Sequence, residues 1–302
     1  MIRRALWGMA LTVALALSAA AQEPAQYLDV FIAKAKPEKR AEFDAINKKV
    51  AEANRKNNGD TWVASEIEYG EGNVVTFVST RTGYAEVEKG TEAFFGALAK
   101  AAGSPAGARK LFQEFNNTIS SSRGEIRRRR WDLSANVGSG AAAQTKLVGE
   151  SRWVRTIEVH VRPGHTREFE EQAKAVKAAL EKVPNGPASY ASQTVVGGGN
   201  VYRFTTFRKS LAGFDAPSPS LEELMGAAAY QKFQKVIAET TMSVEVTLSR
   251  FLPEISNPPA DIAAAAPDFW HPKPKPAAKP AAKSEGAKPA AAAKKPAAKK
   301  EE

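Results

Sequence analysis

The chain contains two similar segments that are offset by about 126 residues. Residues 35–43 (AKPEKRAEF) align with residues 161–169 (VRPGHTREF), and residues 72–77 (GNVVTF) align with residues 199–204 (GNVYRF). A third match of aromatic and apolar residues follows in the same order near the end of each segment. Three ordered matches at similar spacing predict two tandem copies of one structural unit of about 105 residues.

This duplication divides the chain into five parts. We predict a signal peptide at residues 1–21, a first unit at 22–134, a linker at 135–150, a second unit at 151–256 and a tail at 257–302. The linker is rich in Gly, Ala, Ser and Gln, a composition typical of connecting segments. The two units are therefore expected to carry the fold.

Both units show the same order of predicted elements. The predicted strands are rich in β-branched and aromatic residues, and they span residues 27–35, 62–69, 74–80 and 124–133 in the first unit and 153–161, 188–196, 201–207 and 243–252 in the second. Apolar residues at helical spacing predict a helix after the first strand of each unit, and a second helical region is expected at 106–119 and 221–238.

The resulting order, β-α-β-β-α-β, is the ferredoxin-like pattern of the α+β class. Its sheet carries helices on one face only, so the other face must be covered as well. We predict that the two units cover each other within one chain.

The N-terminus has the three parts of a secretory signal. Arg3 and Arg4 precede an apolar run at residues 5–17, and small residues follow it up to Ala21. This order is typical of a cleaved signal peptide, and an uncleaved anchor is the alternative. We therefore expect the mature chain to be exported, to the periplasm or outside the cell. The chain has no cysteine, so its stability there has to come from packing.

The segment from residue 257 onward consists largely of proline, alanine and lysine. Proline interrupts helices and the apolar content is low, which predicts an extended, disordered tail. Residues 273–302 hold nine lysines and three glutamates, so much of the formal charge of +10 lies there. This distribution argues against nucleic acid as a partner of the folded units. The tail is expected to contact an anionic envelope polymer or membrane surface, or to be a solvated spacer.

Residues 159–171 (VHVRPGHTREFEE) resemble the first strand, Pro-Gly turn and first helix of the dimeric α+β barrel superfamily. This group includes antibiotic-biosynthesis monooxygenase-like and NIPSNAP-like domains, and the resemblance covers residues 26–254. It implies a barrel made by two units, here two halves of one chain. The superfamily contains cofactor-free oxygenases, haem-degrading enzymes and domains without an assigned activity. The Asn, Trp and His set of the haem-degrading branch has no counterpart here, and we predict no cofactor.

Candidate catalytic residues lie in the second unit. Strand alternation places Glu158 and His160 on one face of the first strand, and Arg203 lies on the neighbouring third strand. A histidine beside a carboxylate and an arginine can act as a general base with a tuned pKa. The alternative is a paired polar layer with a purely structural role. The first unit has Ile32, Lys34 and Thr76 at the equivalent positions, so the copies are not equivalent.

The closing strand of the first unit contains four consecutive arginines and a tryptophan, at residues 127–131. We predict that Arg128, Arg130 and Trp131 bind an anionic ligand, because arginine recognises carboxylates and phosphates well. The alternative is an exposed edge strand protected by charge. The chain has three histidines in all, and we predict no metal site.

These features lead to two hypotheses on function. The first is an exported small-molecule-binding or interaction protein of the cell envelope. The alternative is a cofactor-independent monooxygenase-like enzyme that uses His160 with Glu158 and Arg203. A cavity lined by His160 and Arg203 and open to solvent favours the enzyme, whereas a filled interior in which Glu158 and Arg203 are paired argues against it.

Overall fold

The structure, a computed structural model, describes residues 25–138 and 141–271. The predicted signal peptide and the predicted tail beyond residue 271 lie outside the described residues. Within the described ranges, no helix combines the length and the apolar character needed to cross a membrane.

Eight strands form a closed barrel in which every neighbouring pair is antiparallel. The strands are β1 (Tyr27–Ala35), β2 (Val63–Tyr69), β3 (Val74–Arg81), β4 (Ile119–Arg129), β5 (Trp153–Val161), β6 (Tyr190–Val196), β7 (Val201–Arg208) and β8 (Thr241–Phe251). Their order around the barrel is β1-β3-β2-β8-β5-β7-β6-β4, and β4 closes the ring by pairing with β1. The predicted α+β class is confirmed. In each half, the sheet face that carries no helices lines the interior of the closed barrel.

The strand order is the same in each half of the barrel. In the first half the order is β4-β1-β3-β2, and in the second half the corresponding strands follow as β8-β5-β7-β6. The halves join where β2 pairs with β8 and where β4 pairs with β6. At each junction, the last strand in the order of one half (β2 or β6) pairs with the first strand in the order of the other half (β8 or β4).

Helices cover the outer face of the barrel. The helices are α1 (Arg40–Lys56), α2 (Tyr84–Ala101), α3 (Pro105–Thr118), α4 (Ala141–Glu150), α5 (Thr166–Leu180), α6 (Leu221–Met225), α7 (Ala227–Thr240), α8 (Ala260–Ala265) and α9 (Pro267–Trp270). Outward-facing Ala33 of β1 packs in one buried cluster with Phe43 of α1 and Phe115 of α3. In the second half, Val161 of β5 packs in a buried cluster with Phe169 of α5. The apolar face of each half thus points outward to the helices, which leaves the more polar face for the barrel interior.

The predicted linker and tail differ from the structure. The linker region 135–150 contains α4, and the chain stays folded through α8 and α9 up to residue 271. Trp270 is fully buried, and its indole N–H donates a hydrogen bond of 2.9 Å to the Gly149 carbonyl. The boundary predicted at residue 257 was therefore wrong, because a few apolar side chains in an alanine-rich stretch find tertiary contacts that composition does not reveal.

These late helices close one end of the barrel. Val154, Phe251, Ile262 and Trp270 form one buried cluster at that end. Helices α4 and α8 lie so close that a Cβ atom on Gly149 would stand 2.6 Å from the Ile262 carbonyl oxygen. Since real Cβ atoms do not approach a backbone oxygen that closely, glycine is required at this crossing.

Candidate functional site

The barrel encloses a cavity of about 930 Å³, large enough for a small organic molecule. Inward-facing residues of all eight strands line it, because strand alternation sends every second side chain inside. The wall combines apolar and polar surface, and its polar and charged residues include Thr76, Arg127, Thr156, Glu158, His160, Arg203, Thr205 and Thr247. Residues of α4 and α8 line the closed end of the cavity.

A network of ion pairs crosses the middle of the cavity wall. Arg203 donates from Nε to Glu158 Oε2 at 2.7 Å, and its Nη2 lies 3.3 Å from Glu125 Oε2. Arg127 donates from Nε to Glu125 Oε2 at 2.7 Å. Glu125 and Arg203 are buried. Buried charges need partners, and each charge of this network has an opposite charge within hydrogen-bonding distance.

His160 extends this network toward the open end of the barrel. Its Nε2 lies 2.9 Å from Glu158 Oε1, and its side chain is part-exposed. Burial raises the pKa of Glu158, but the Arg203 charge and the His160 hydrogen bond outweigh it, so this pKa lies below its ordinary value. An ionised Glu158 can only accept in this contact, so His160 donates from Nε2–H, and in the neutral imidazole Nδ1 keeps the lone pair that can accept a proton.

The structure thus brings together the three predicted residues Glu158, His160 and Arg203. It also combines the two conditions that were expected to exclude each other. Glu158 and Arg203 are paired, yet the interior is hollow and His160 lines it. The pairing balances the buried charges of Glu158 and Arg203, and the cavity leaves His160 accessible to a ligand.

The three residues predicted to bind an anion do not line the cavity. Arg128 is exposed on the outer face and lies 3.4 Å from Gln193 Oε1. Arg130 is buried outside the barrel, where it forms ion pairs with Asp132 and with Glu170 of α5. Strand β4 has charged side chains on both faces, and Arg128 lies on the face opposite the cavity, whereas Arg130 and Trp131 follow the last residue of the strand. The edge-strand alternative was wrong, since β4 pairs with β1 and β6.

Two other arginines of the same run, Arg127 and Arg129, face the cavity. Burial and the Arg203 charge lower the pKa of Arg127 to about 10, and burial alone accounts for the same value at Arg129. Both guanidinium groups therefore stay charged at neutral pH. No signal in the sequence identifies these two arginines, because the face of β4 that turns inward depends on its pairing with β6 of the other half.

A second, smaller cavity of about 260 Å³ lies outside the barrel, beneath the helices of the first half. Its wall is mainly aromatic and includes Phe31, Trp62, Phe94, Phe112 and Phe115. It contains no arginine or histidine. In the described part of the chain, no group of three or more His, Asp or Glu side chains is placed to hold a metal ion.

No protein-family model and no curated protein matches the chain. Among solved structures, it is similar to an anthrone oxidase-like protein, at 10% identity over 76% of this chain and 92% of that one, with a TM-score of 0.48. It is also similar to a haem-binding protein from Thermus thermophilus, at 10% identity over 77% and 93% of the two chains, with a TM-score of 0.42. A mutant chlorite dismutase from Candidatus Nitrospira defluvii matches at 8% identity over 81% and 97%, with a TM-score of 0.43.

Similarities of this strength say nothing about chemistry. The strand order and the closed antiparallel barrel define the class on their own. The chain has a mixed α+β fold built on an eight-stranded barrel, the architecture of the dimeric α+β barrel proteins that its sequence resembles.

Proposed function

We propose that this protein binds a small organic molecule inside its barrel, as an exported binding protein of the cell envelope. The observation that supports the proposal is the cavity of about 930 Å³, which is closed at one end by α4 and α8. Polar and charged groups point into it from several strands, as in sites that orient a ligand. The proposed export rests on the signal-like residues 1–21.

The proposal includes a tandem duplication as the origin of the barrel. Ordered sequence matches and a repeated strand order support it. Two copies of one unit inside one chain can diverge independently, and the inward residues have done so. Glu158 and His160 of β5 correspond to Ile32 and Lys34 of β1, so the Glu–His pair of the site belongs to the second half.

Native mass spectrometry tests this binding function. We expect protein purified from its own source to retain a small non-protein mass, and the variant Thr247→Trp to lose it, because Thr247 points into the cavity. Val246→Trp is the matched control, since Val246 is the adjacent residue of β8 and is exposed on the outer face. Absence of a bound mass in the wild type, or its retention in Thr247→Trp, would contradict the proposal.

A second candidate function is a cofactor-independent monooxygenase-like reaction at His160. The specific observation in its favour is the hydrogen bond between His160 Nε2 and Glu158, which directs Nδ1 to act as a base. In such a reaction His160 takes a proton from an acidic C–H or O–H group of the ligand, and the resulting organic anion reacts with dioxygen.

Oxygen consumption with dithranol, an anthrone, tests this candidate. We expect the wild type to accelerate consumption over the uncatalysed reaction and His160→Gln to lose about 10²-fold or more of that acceleration. His165→Gln is the control, because His165 precedes α5 and does not line the cavity. Equal rates for the wild type and His160→Gln would eliminate His160 as the base.

A further inference from the structure

Arg129 lies near the closed end of the barrel cavity and differs from the other inward-facing arginines. Its side chain makes no ion pair and no hydrogen bond with any described residue, and its Nε is buried without an acceptor. The guanidinium carbon lies 5.7 Å from the centre of the Trp131 ring and 5.5 Å from that of Tyr190. These contacts hold the cation in place but leave its N–H donors unused.

The remaining described arginines of the cavity wall all have carboxylate partners. Arg123, Arg127 and Arg203 contact Glu125. Arg81 pairs with Asp29 and Asp60. A buried charge without a partner is costly to a folded protein, so proteins rarely keep one without a functional reason. The cavity therefore has one strong cation whose natural partner is not part of the described chain.

The surroundings of Arg129 fit the two ends of an amphipathic molecule. Ser192 lies opposite Arg129 in the pairing of β4 with β6 and also lines the cavity, so its hydroxyl can supply a further hydrogen bond. Val154, Phe207, Phe251 and Ile262 add apolar surface to the cavity wall. An anionic group beside Arg129 would thus be accompanied by an apolar wall for the rest of the molecule.

We propose that the ligand of the barrel is an organic anion, with a carboxylate, sulfonate or phosphate group bound by Arg129 and an apolar body against the closed end. This inference rests on the proposed binding function and names the class of ligand. A bidentate contact between guanidinium and oxyanion satisfies the free donors of Arg129 and balances its charge. The smaller aromatic cavity outside the barrel offers no cation and does not provide this recognition.

Two dyes that differ by one charged group provide the test. 8-Anilinonaphthalene-1-sulfonate carries a sulfonate, whereas N-phenyl-1-naphthylamine has the same apolar body without it. In fluorescence titrations we expect Arg129→Met to weaken binding of the sulfonate dye about 10- to 100-fold, as for the loss of a charged hydrogen-bonding partner, and to leave the neutral dye within about twofold. Arg129→Lys should retain part of the affinity, because it keeps the charge but not the fork geometry.

Arg128→Gln is the matched control, because Arg128 is the preceding residue on the same strand but is exposed on the outer face. It should change neither dye. Equal loss of both dyes in Arg129→Met, an unchanged sulfonate dye, or an equal effect of Arg128→Gln would overturn the inference. If the wild type binds neither dye, the proposed function itself fails, which is a different outcome.

Thermal unfolding of the ligand-free protein gives a second readout. If Arg129 is kept for a ligand, its replacement by Met removes an unpaired, part-buried cation, and the Tm should rise by a few degrees. A residue that only supports the fold would lower the Tm when replaced. A fall in Tm together with equal loss of both dyes would show that Arg129 supports the barrel and does not recognise an anion.

Discussion

Replacement of Arg203 by methionine should lower the free energy of unfolding by about 3 kcal/mol at pH 7. The Arg203 side chain is 4% exposed and donates to Glu158 and Thr194, and it also contacts Glu125. Without it, two carboxylates at the cavity wall lose their shared cation, although Glu125 keeps Arg127 and Glu158 keeps His160. Urea unfolding measures the loss.

The loss should depend on pH in a defined direction. In the wild type the pKa of Glu158 lies below its ordinary value, so its stabilising contribution is present above that ordinary value and is lost as pH falls through the lowered one. In Arg203→Met, burial would raise the pKa of Glu158. Protonation of Glu158 at lower pH would then remove the unpaired negative charge that destabilises the variant. The difference between variant and wild type should therefore shrink from pH 7 to pH 4.

Arg250→Met is the control for this prediction. Arg250 also pairs with a glutamate, Glu68, but its side chain is 54% exposed. Exposed ion pairs contribute between zero and about 1 kcal/mol, so this variant should stay close to the wild type at every pH. A loss below about 1 kcal/mol in Arg203→Met, or one that does not change with pH, would contradict the role given to the network.

Replacement of Trp270 by alanine should lower the free energy of unfolding by about 3–5 kcal/mol. The ring is fully buried, its centre lies 5.5 Å from that of Phe251, and its N–H group bonds to Gly149. Alanine removes this packing and leaves the Gly149 carbonyl without its donor. Since Trp270 belongs to the cluster that closes the barrel, the variant should also open that end of the cavity to solvent.

Urea unfolding together with collisional quenching of the remaining tryptophans measures both effects. Tyr69→Ala is the control, because this large aromatic residue is 60% exposed and should change stability by about 0.5 kcal/mol or less. Should Trp270→Ala unfold like the wild type, the late helices would not be part of the folded barrel, and the boundary predicted from composition at residue 257 would stand.

Strand alternation and turn residues predict most of the barrel. The first strand of each unit begins and ends at the predicted residues, 27–35 and 153–161. Helix α2 was not predicted separately, and the closing strands begin earlier than expected, with β4 starting at Ile119. The folding of residues 257–271 was missed because their composition contains few large apolar side chains. One of these, Trp270, is enough to hold the segment on the barrel because it contacts Gly149 and Phe251, which are distant in the sequence.

The part of the candidate site in the second half was predictable, because β5 and β7 belong to the same unit and their pairing follows from its strand order. Glu158 and His160 share a face by alternation, and Arg203 lies opposite Glu158 in the β5–β7 pairing. The role of Arg127 and Arg129 depends on how β4 of the first half meets β6 of the second half, a contact between residues far apart in the chain. Sequence alternation does not define which face of such an arginine-rich strand is inside.

A crystal structure with 8-anilinonaphthalene-1-sulfonate is the most direct measurement of the central claim, that the barrel interior is a ligand site. We expect the dye inside the barrel, with a sulfonate oxygen within hydrogen-bonding distance of the Arg129 guanidinium and the rings near Phe207 and Phe251. A dye found in the aromatic cavity beneath the helices of the first half, with the barrel interior free of it, would contradict that claim.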